Sequence, residues 1–223
     1  MPATRQTVAV IDYGGSNLRS VSKAIEHVAE LSSNKPRVIV TNNADEVAQA
    51  DRVVFPGQGA IGDCMRNLQD QNLDDVIRKA IDEKPFFGIC LGLQSLMKTS
   101  DEDGGVDGLD IFPGKVVHFP ENPKDPATGE RLKIPHMGWN QVNPVNDHPM
   151  WNGIESGSRF YFVHSYYVEP DQKEVIAATT DYCLEFTSAI TRDNVFAVQF
   201  HPEKSQHDGL KLLSNFLDWD GKE

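Results

Sequence analysis

The sequence predicts an α/β fold: a single domain spanning residues 1–223, with a mostly parallel central sheet flanked by helices and a smaller antiparallel sheet region in the second half. Three observations predict it. Short β-branched runs alternate with amphipathic helical stripes through the first hundred residues, the sign of a doubly wound parallel sheet. Beyond them, brief strand-like runs follow one another with turn residues and little helix between. No internal repeat or compositional break divides the 223 residues, a length that suits one hydrophobic core.

In chain order, "TVAVIDYG" is apolar, β-branched and closed by glycines, which reads as a buried parallel strand. From Asn17 the pattern changes, and Leu18, Val21, Ile25 and Val28 share one helical stripe. "RVIVT" and "RVVFPG" are two more strands. Met65, Leu68, Val76, Ile77 and Ile81 predict one or two helical segments between Ile61 and Ile81. "PFFGIC" is the next strand, and "LGLQSLMK" reads as the helix after it. "GKVVHF", "FYFVHSYY", "VIAATT", "LEFTSAI" and "VFAVQFHP" are the short strands of the second half. Residues 120–131, "PENPKDPATGER", form a polar loop with three prolines and a glycine. A last amphipathic helix starts near Gln206 and turns Leu210, Leu213, Phe216 and Leu217 inward.

Composition bounds the function. Hydrophobic residues at 39% and charged residues at 24% describe a globular protein, and a net charge of −12 opposes a nucleic-acid partner. No apolar run approaches the roughly 20 residues of a membrane span. "MPATRQTVAVIDYGG" carries no secretory apolar region. Cys64, Cys90 and Cys183 are odd in number and lack metal-type spacing, which predicts free thiols, a reducing compartment and hence a cytoplasmic protein.

The chemistry concentrates in "FFGICLGLQ". Gly88-Ile89-Cys90-Leu91-Gly92 fits the strand-to-helix elbow G-x-nucleophile-x-G, with cysteine as nucleophile. Such a turn strains the backbone at the nucleophile, and side chains at the flanking glycines would strike neighbouring strands. The helix that follows aims its N–H groups at the sulfur and favours the thiolate. A small structural cysteine at a strand end is the competing reading of these five residues.

A base stands near the other end of the chain. In "VFAVQFHPEKS", His201 and Glu203 are two apart on an extended segment and so share a face. A carboxylate on one imidazole nitrogen leaves the other free to take a thiol proton. Taken alone, His-x-Glu also fits two metal ligands or a surface pair. No further ligands stand at useful spacing, so neither a metal nor any other cofactor is expected.

With both pieces present, the sequence resembles the class I glutamine amidotransferases, in which the "GICLGLQ" elbow, the "FPGQG" turn and "QFHPE" occur in this order. "IDYGGSNLRSV", "PGQGAIGDCM", "KIPHMGWN", "YFVHSYY" and "GLKLLSNFL" narrow the resemblance to the glutaminase subunits of imidazole glycerol phosphate synthase, from about Val8 to Leu217. It implies that Cys90 attacks the side-chain amide of L-glutamine, His201 transfers protons and Glu203 orients His201. Acyl transfer requires an oxyanion hole. Leu91 N–H is one implied donor, and Gln58 N–H the other once its peptide turns. Gly57 and Gly59 flank that peptide and border the substrate. Members of this family often carry a small apolar residue where Gln58 stands. Gln94, Glu102, His164, Ser165 and Tyr166 fall at substrate-binding positions, though Glu102 also reads as a solvated residue of an acidic run.

Ammonia released into neutral water becomes ammonium, which is no nucleophile, so a synthetic enzyme must channel it to a second site. No P-loop and no barrel-length β/α array is present. The resemblance implies a heterodimer with a (β/α)₈ cyclase subunit, which would form imidazole glycerol phosphate and an aminoimidazole carboxamide ribotide in histidine biosynthesis. Tyr13, Asn17, Trp139 and Lys204 are the expected docking residues. Core packing is the other reading of Trp139, and simple solvation that of Lys204. The rival functions are a glutaminase subunit for anthranilate, aminodeoxychorismate or pyridoxal phosphate synthesis, a stand-alone γ-glutamyl hydrolase, and a non-enzymatic binding module.

Overall fold

The structure is a computed structural model that describes residues 5–15 and 17–222. Met1–Thr4 at the head of the first run, Ser16 within "IDYGGSNLRSV", and Glu223 lie outside the described residues. The first half alternates as expected: β1 (Thr7–Ile11), α1 (Leu18–Leu31), β2 (Arg37–Thr41), α2 (Ala44–Gln49), β3 (Arg52–Gly57), α3 (Ile61–Asp70), α4 (Asp74–Glu83), β4 (Phe86–Cys90) and α5 (Leu91–Gln94). Strands then dominate: β5 (Met97–Ser100), β6 (Val106–Asp107), β7 (Phe112–His118), β8 (His136–Gln141), β9 (Asn143–Pro144), β10 (Arg159–His164), β11 (Tyr166–Pro170), β12 (Ile176–Asp181), β13 (Glu185–Arg192) and β14 (Val195–Val198). Helix α6 (Gln206–Asp218) closes the chain.

Among the described residues one sheet holds twelve strands, in the order β2-β1-β3-β4-β14-β13-β11-β7-β5-β6, with β12 and β9 branching from β13. The first five strands run parallel to one another. From β14 through β13 and β11 to β7 the pairing is antiparallel. The smaller antiparallel region is thus largely continuous with the parallel sheet, and only β8 and β10 stand apart as a two-stranded sheet.

Parallel strands covered on both faces need apolar residues at successive positions. Strand β1 supplies Val8 and Val10 to the core beneath α1 and α6, and Ala9 and Ile11 to the core beneath α2, α3 and α4. Strand β4 splits the same way, with Phe87 and Ile89 on the first face and Phe86 on the second. Several elements depart from expectation. Helix α2 carries too little apolar pattern to announce itself, but Asn43 caps it by accepting from the Asp45 and Glu46 N–H groups at 2.8 and 3.3 Å.

The helix expected over "LGLQSLMK" ends at Gln94, and Met97–Ser100 is a strand. Short apolar runs do not separate helix from strand by period. Pairing of β5 with β7 decides the matter, and the Ile111 and Phe112 N–H groups both donate to Leu96 O at 3.0 Å. "FYFVHSYY" likewise divides into β10 and β11 at Ser165, whose carbonyl accepts from Phe119 N–H.

Candidate active site

Three neighbouring strands deliver the site to one edge. Gly57, at the end of β3, is in register with Cys90 at the end of β4, and Ile89 is in register with Val198 at the end of β14. The carboxyl ends of parallel strands are where open α/β sheets leave a crevice. The chain beyond β14 reaches Gln199 and His201 within three residues. A nucleophile and a base more than a hundred residues apart in sequence therefore become neighbours.

Cys90 adopts φ 55°, ψ −105°, a conformation rare for a residue with a side chain, and only 6% of it is exposed. The elbow allows this because Gly92 lies against β3. A Cβ on Gly92 would sit 1.9 Å from Phe55 O, and one on Gly88 would sit 2.9 Å from Ala197 Cβ. Helix α5 is a single turn, so the expected support of the sulfur by a helix dipole comes down to the N–H groups of that turn.

His201 is 1% exposed, and its Nδ1–H donates to Glu203 Oε1 at 2.8 Å. The same oxygen accepts from Asn17 Nδ2 at 2.7 Å. The carboxylate therefore fixes the imidazole tautomer, and Nε2, without a hydrogen-bond partner among the described residues, is left for a proton from the sulfur side. Burial pulls the imidazolium pKa down, and the Cys90 and Glu203 charges together push it up further, to about 10. The His201 backbone is pinned as well: its N–H donates to Tyr161 O at 2.9 Å, and Ser205 Oγ bridges His201 O and Tyr161 N–H.

Cys90 and His201 line one cavity of about 340 Å³. Its walls bring together Gln58, Gly59, Leu91, Gln94, Glu102, His164, Ser165 and Tyr166, with Pro135 and Val163 as lining residues that the sequence pattern did not mark. Gly59 has φ +102°, the left-handed backbone that lets Gln58 sit at the cavity lip. Gly57 is set behind the lip, against the Tyr13 hydroxyl and Leu91 Cβ. Glu102 is not free in solvent, because its Oε2 accepts from Ile61 N–H at 3.0 Å. The His164 imidazole turns away into the core and binds Tyr166 O and His136.

Gln199, the first residue of "QFHPE", was assigned no role from the sequence, although it stands two residues before His201 in the run read as a strand. It is fully buried, and its Nε2 lies 3.6 Å from Cys90 Sγ. A larger cavity of about 650 Å³ beside the loop at 120–131 contains neither Cys90 nor His201.

The expected docking residues separate. Trp139 is 42% exposed and meets the Tyr161 ring edge-on, with centroids 6.2 Å apart. Lys204 Nζ lies 5.9 Å from the same Tyr161 ring, so these side chains share one surface next to the base. The core reading of Trp139 is thereby excluded. Tyr13 does not belong to that surface: it is 3% exposed and packs edge-on against Phe55, in space left by the missing side chains of Gly15 and Gly57. Asn17 turns inward to Glu203. Among the described residues no helix is long and apolar enough to cross a membrane.

Comparison with known proteins places the chain in a family. The family model "Glutamine amidotransferase class-I" matches residues 9–219. Proteins described as imidazole glycerol phosphate synthase subunit HisH are similar over nearly their full length. The one from Nitrosococcus oceani is 55% identical over 215 residues, covering 96% of this chain and 98% of its own. That from Aromatoleum aromaticum is 56% identical over 212 residues, with 95% and 98% coverage. That from Dechloromonas aromatica is 54% identical over 219 residues, with 98% and 99% coverage. Among solved structures, a glutamine amidotransferase from Thermotoga maritima superposes with a TM-score of 0.63 at 15% identity, covering 96% of this chain and 97% of that one. The glutaminase domain of Trypanosoma brucei CTPS, with bound acivicin, gives 0.62 at 17% identity, with 96% and 95% coverage. At these identities the last two speak for the fold alone.

Proposed function

We infer from its membership of the class I glutamine amidotransferase family, to which the chain belongs, that this protein is the glutaminase subunit of an imidazole glycerol phosphate synthase. The observation that carries the reading is the single cavity shared by the Cys90 sulfur and the unpartnered His201 Nε2, with Glu203 behind the imidazole. The near full-length likeness to HisH proteins selects this synthase over those of anthranilate, aminodeoxychorismate or pyridoxal phosphate.

The residues divide the chemistry as follows. Cys90 Sγ, its proton held by His201 Nε2, attacks the side-chain carbonyl carbon of glutamine. The negative oxygen that forms is received by Leu91 N–H and, once its peptide turns, by Gln58 N–H; one such donor is worth about 10²–10³ in rate. His201 returns the proton to the leaving nitrogen, which departs as ammonia. It then takes a proton from the water that cleaves the thioester and releases glutamate. Glu203, itself held by Asn17, keeps the imidazole in one tautomer throughout.

Gln94 spends both amide hydrogens inside the protein, on Tyr166 O and Gln199 Oε1. Only its oxygen remains, so it accepts from the substrate and suits the α-ammonium group. Glu102 offers a second negative group to the same ammonium.

Ammonia must leave without meeting bulk water, and the surface carrying Trp139, Tyr161 and Lys204 beside His201 is the docking face we assign to a (β/α)₈ cyclase in a cytoplasmic heterodimer. The test is glutamate release by the purified chain alone and with the cyclase subunit carrying its nucleotide ligand. The reading expects slow hydrolysis alone and a large rise in the complex. Equal rates would refute the coupling, and no hydrolysis in either condition would refute the glutaminase reading.

A further inference from the structure

We propose that Gln199 is a further catalytic residue, whose side-chain N–H donates to the Cys90 sulfur and stabilises its thiolate, in an orientation imposed by Gln94. This rests on the reading of Cys90 as nucleophile and adds a residue to it. Gln199 follows β14 directly, is fully buried, and is anchored to β13 through its backbone N–H on Ser188 O at 2.9 Å. Its Nε2 lies 3.6 Å from Cys90 Sγ, within reach of the large sulfur atom.

Which end of the amide faces the sulfur is settled by a chain of contacts that begins at a backbone carbonyl. Tyr166 O can only accept, so the Gln94 atom 3.0 Å from it is the amino nitrogen. The second hydrogen of that nitrogen goes to Gln199 Oε1, also at 3.0 Å. Gln199 therefore shows its own amino group to Cys90. A flipped Gln199 would set two amino groups against each other and press a carbonyl oxygen on the sulfur.

A second run of donors converges on the same Tyr166 carbonyl from the far side. His164 Nδ1–H donates to Tyr166 O at 2.8 Å, and His136 Nδ1–H donates to His164 Nε2 at 2.9 Å. Asn140 Nδ2 then donates to His136 Nε2 at 3.2 Å and to Asp181 O at 2.8 Å. Each imidazole gives through Nδ1 and receives at Nε2, which holds only with both imidazoles neutral. Burial keeps them so, lowering His136 to about 4 and His164 to about 3.

A thiol is a weak acceptor and a thiolate a strong one, so a fixed donor at the sulfur favours the ionised form. The other titratable groups around Cys90 are His201, backed by Glu203, Tyr13 from the turn after β1, and Glu102 in the wall of the same cavity. His201 supplies the opposite charge. Gln199 supplies an uncharged donor that stays in place when His201 gives its proton away.

The test is the pH dependence of Cys90 alkylation by iodoacetamide in the full chain, read by mass spectrometry of the Cys90 peptide, with Cys90→Ser as the blank. Gln199→Met keeps the volume and removes the donor, and its alkylation midpoint is expected to rise by about one pH unit, a tenfold lower thiolate fraction below it. Gln199→Glu accepts from Gln94 as before but turns a carboxylate toward the sulfur, and its midpoint is expected to rise further. Circular dichroism establishes folding, and if either variant fails to fold, Gln94→Met leaves Gln199 present but unoriented and raises the midpoint by a smaller step. An unmoved midpoint in the folded variants overturns the proposal. Alkylation reads the sulfur whatever the substrate, so a chain that shifts its midpoint yet never hydrolyses glutamine would overturn the functional reading and leave the donor standing.

Discussion

Replacing the buried histidine pair tests how strongly burial ties this protein's stability to pH. His136 and His164 are bonded to each other at 2.9 Å and nearly closed to solvent, at 3% and 6% exposure. Their folded pKa values are lowered to about 4 and about 3, chiefly by burial, whereas an unfolded histidine titrates near 6.5. As pH falls below about 6.5, the unfolded chain takes up protons that the folded one refuses. Stability is therefore complete above that pH and is lost progressively toward the folded values.

At pH 5 both imidazoles remain neutral in the fold, about 1.5 pH units below their unfolded titration. At about 1.4 kcal/mol per unit, each costs about 2 kcal/mol and the pair about 4 kcal/mol. That is a large share of the roughly 5–15 kcal/mol that holds a typical domain together. The assay is urea unfolding at pH 7.5 and pH 5 of the native chain and of a His136→Gln/His164→Gln variant, whose amides donate and accept but do not titrate in this range. The native chain should lose about 4 kcal/mol more than the variant between the two conditions. Equal losses would refute the reasoning.

Two other substitutions probe the site's frame. Gly92→Ala places a methyl 1.9 Å from Phe55 O, a backbone atom that cannot swing aside. It should cost about 3 kcal/mol and lower Tm by about 6–12 °C in a thermal melt, and an unchanged Tm would show that β3 and the elbow are not in close contact. Asn17→Ala removes the donor 2.7 Å from Glu203 Oε1 and should lower kcat for glutamine hydrolysis by about tenfold, while Asn17→Asp adds a like charge there and should lower it more. An aspartate variant with the native kcat would remove Asn17 from the account.

The elbow shows how far local pattern reaches. Gly88, Cys90 and Gly92 were legible because a crowded strand-to-helix turn excludes side chains at fixed offsets from the nucleophile, and that constraint is written in adjacent residues. His201 and Glu203 were legible as a pair two residues apart, although a 3₁₀ turn over Pro202–Lys204, not the extended backbone expected, brings the carboxylate onto the imidazole. The parallel half of the sheet followed from runs apolar on both faces. The fate of "LGLQSLMK" did not follow, because an apolar run of that length satisfies a helix or a strand and only pairing of β5 with β7 decides between them. The burial of Tyr13, which the resemblance had set among the docking residues, did not follow either, because the room its ring fills against Phe55 is left by Gly15 and by Gly57 on another strand.

The amino-acid sequence alone thus determined the alternating α/β half, the bend at Cys90 and the closeness of His201 to Glu203, the first by backbone period and the others by neighbouring residues. Tertiary structure alone decided that β3, β4 and β14 lie side by side and carry Gly57, Cys90 and His201 to one edge. It also decided that Asn17 reaches Glu203 across 186 positions and that Gln199 turns its amide to the sulfur. The physical reason is range. Steric exclusion and periodicity act over a few residues of chain, whereas strand register and the direction of a buried hydrogen bond depend on groups that only the folded core brings to separations such as 2.7, 3.0 and 3.6 Å.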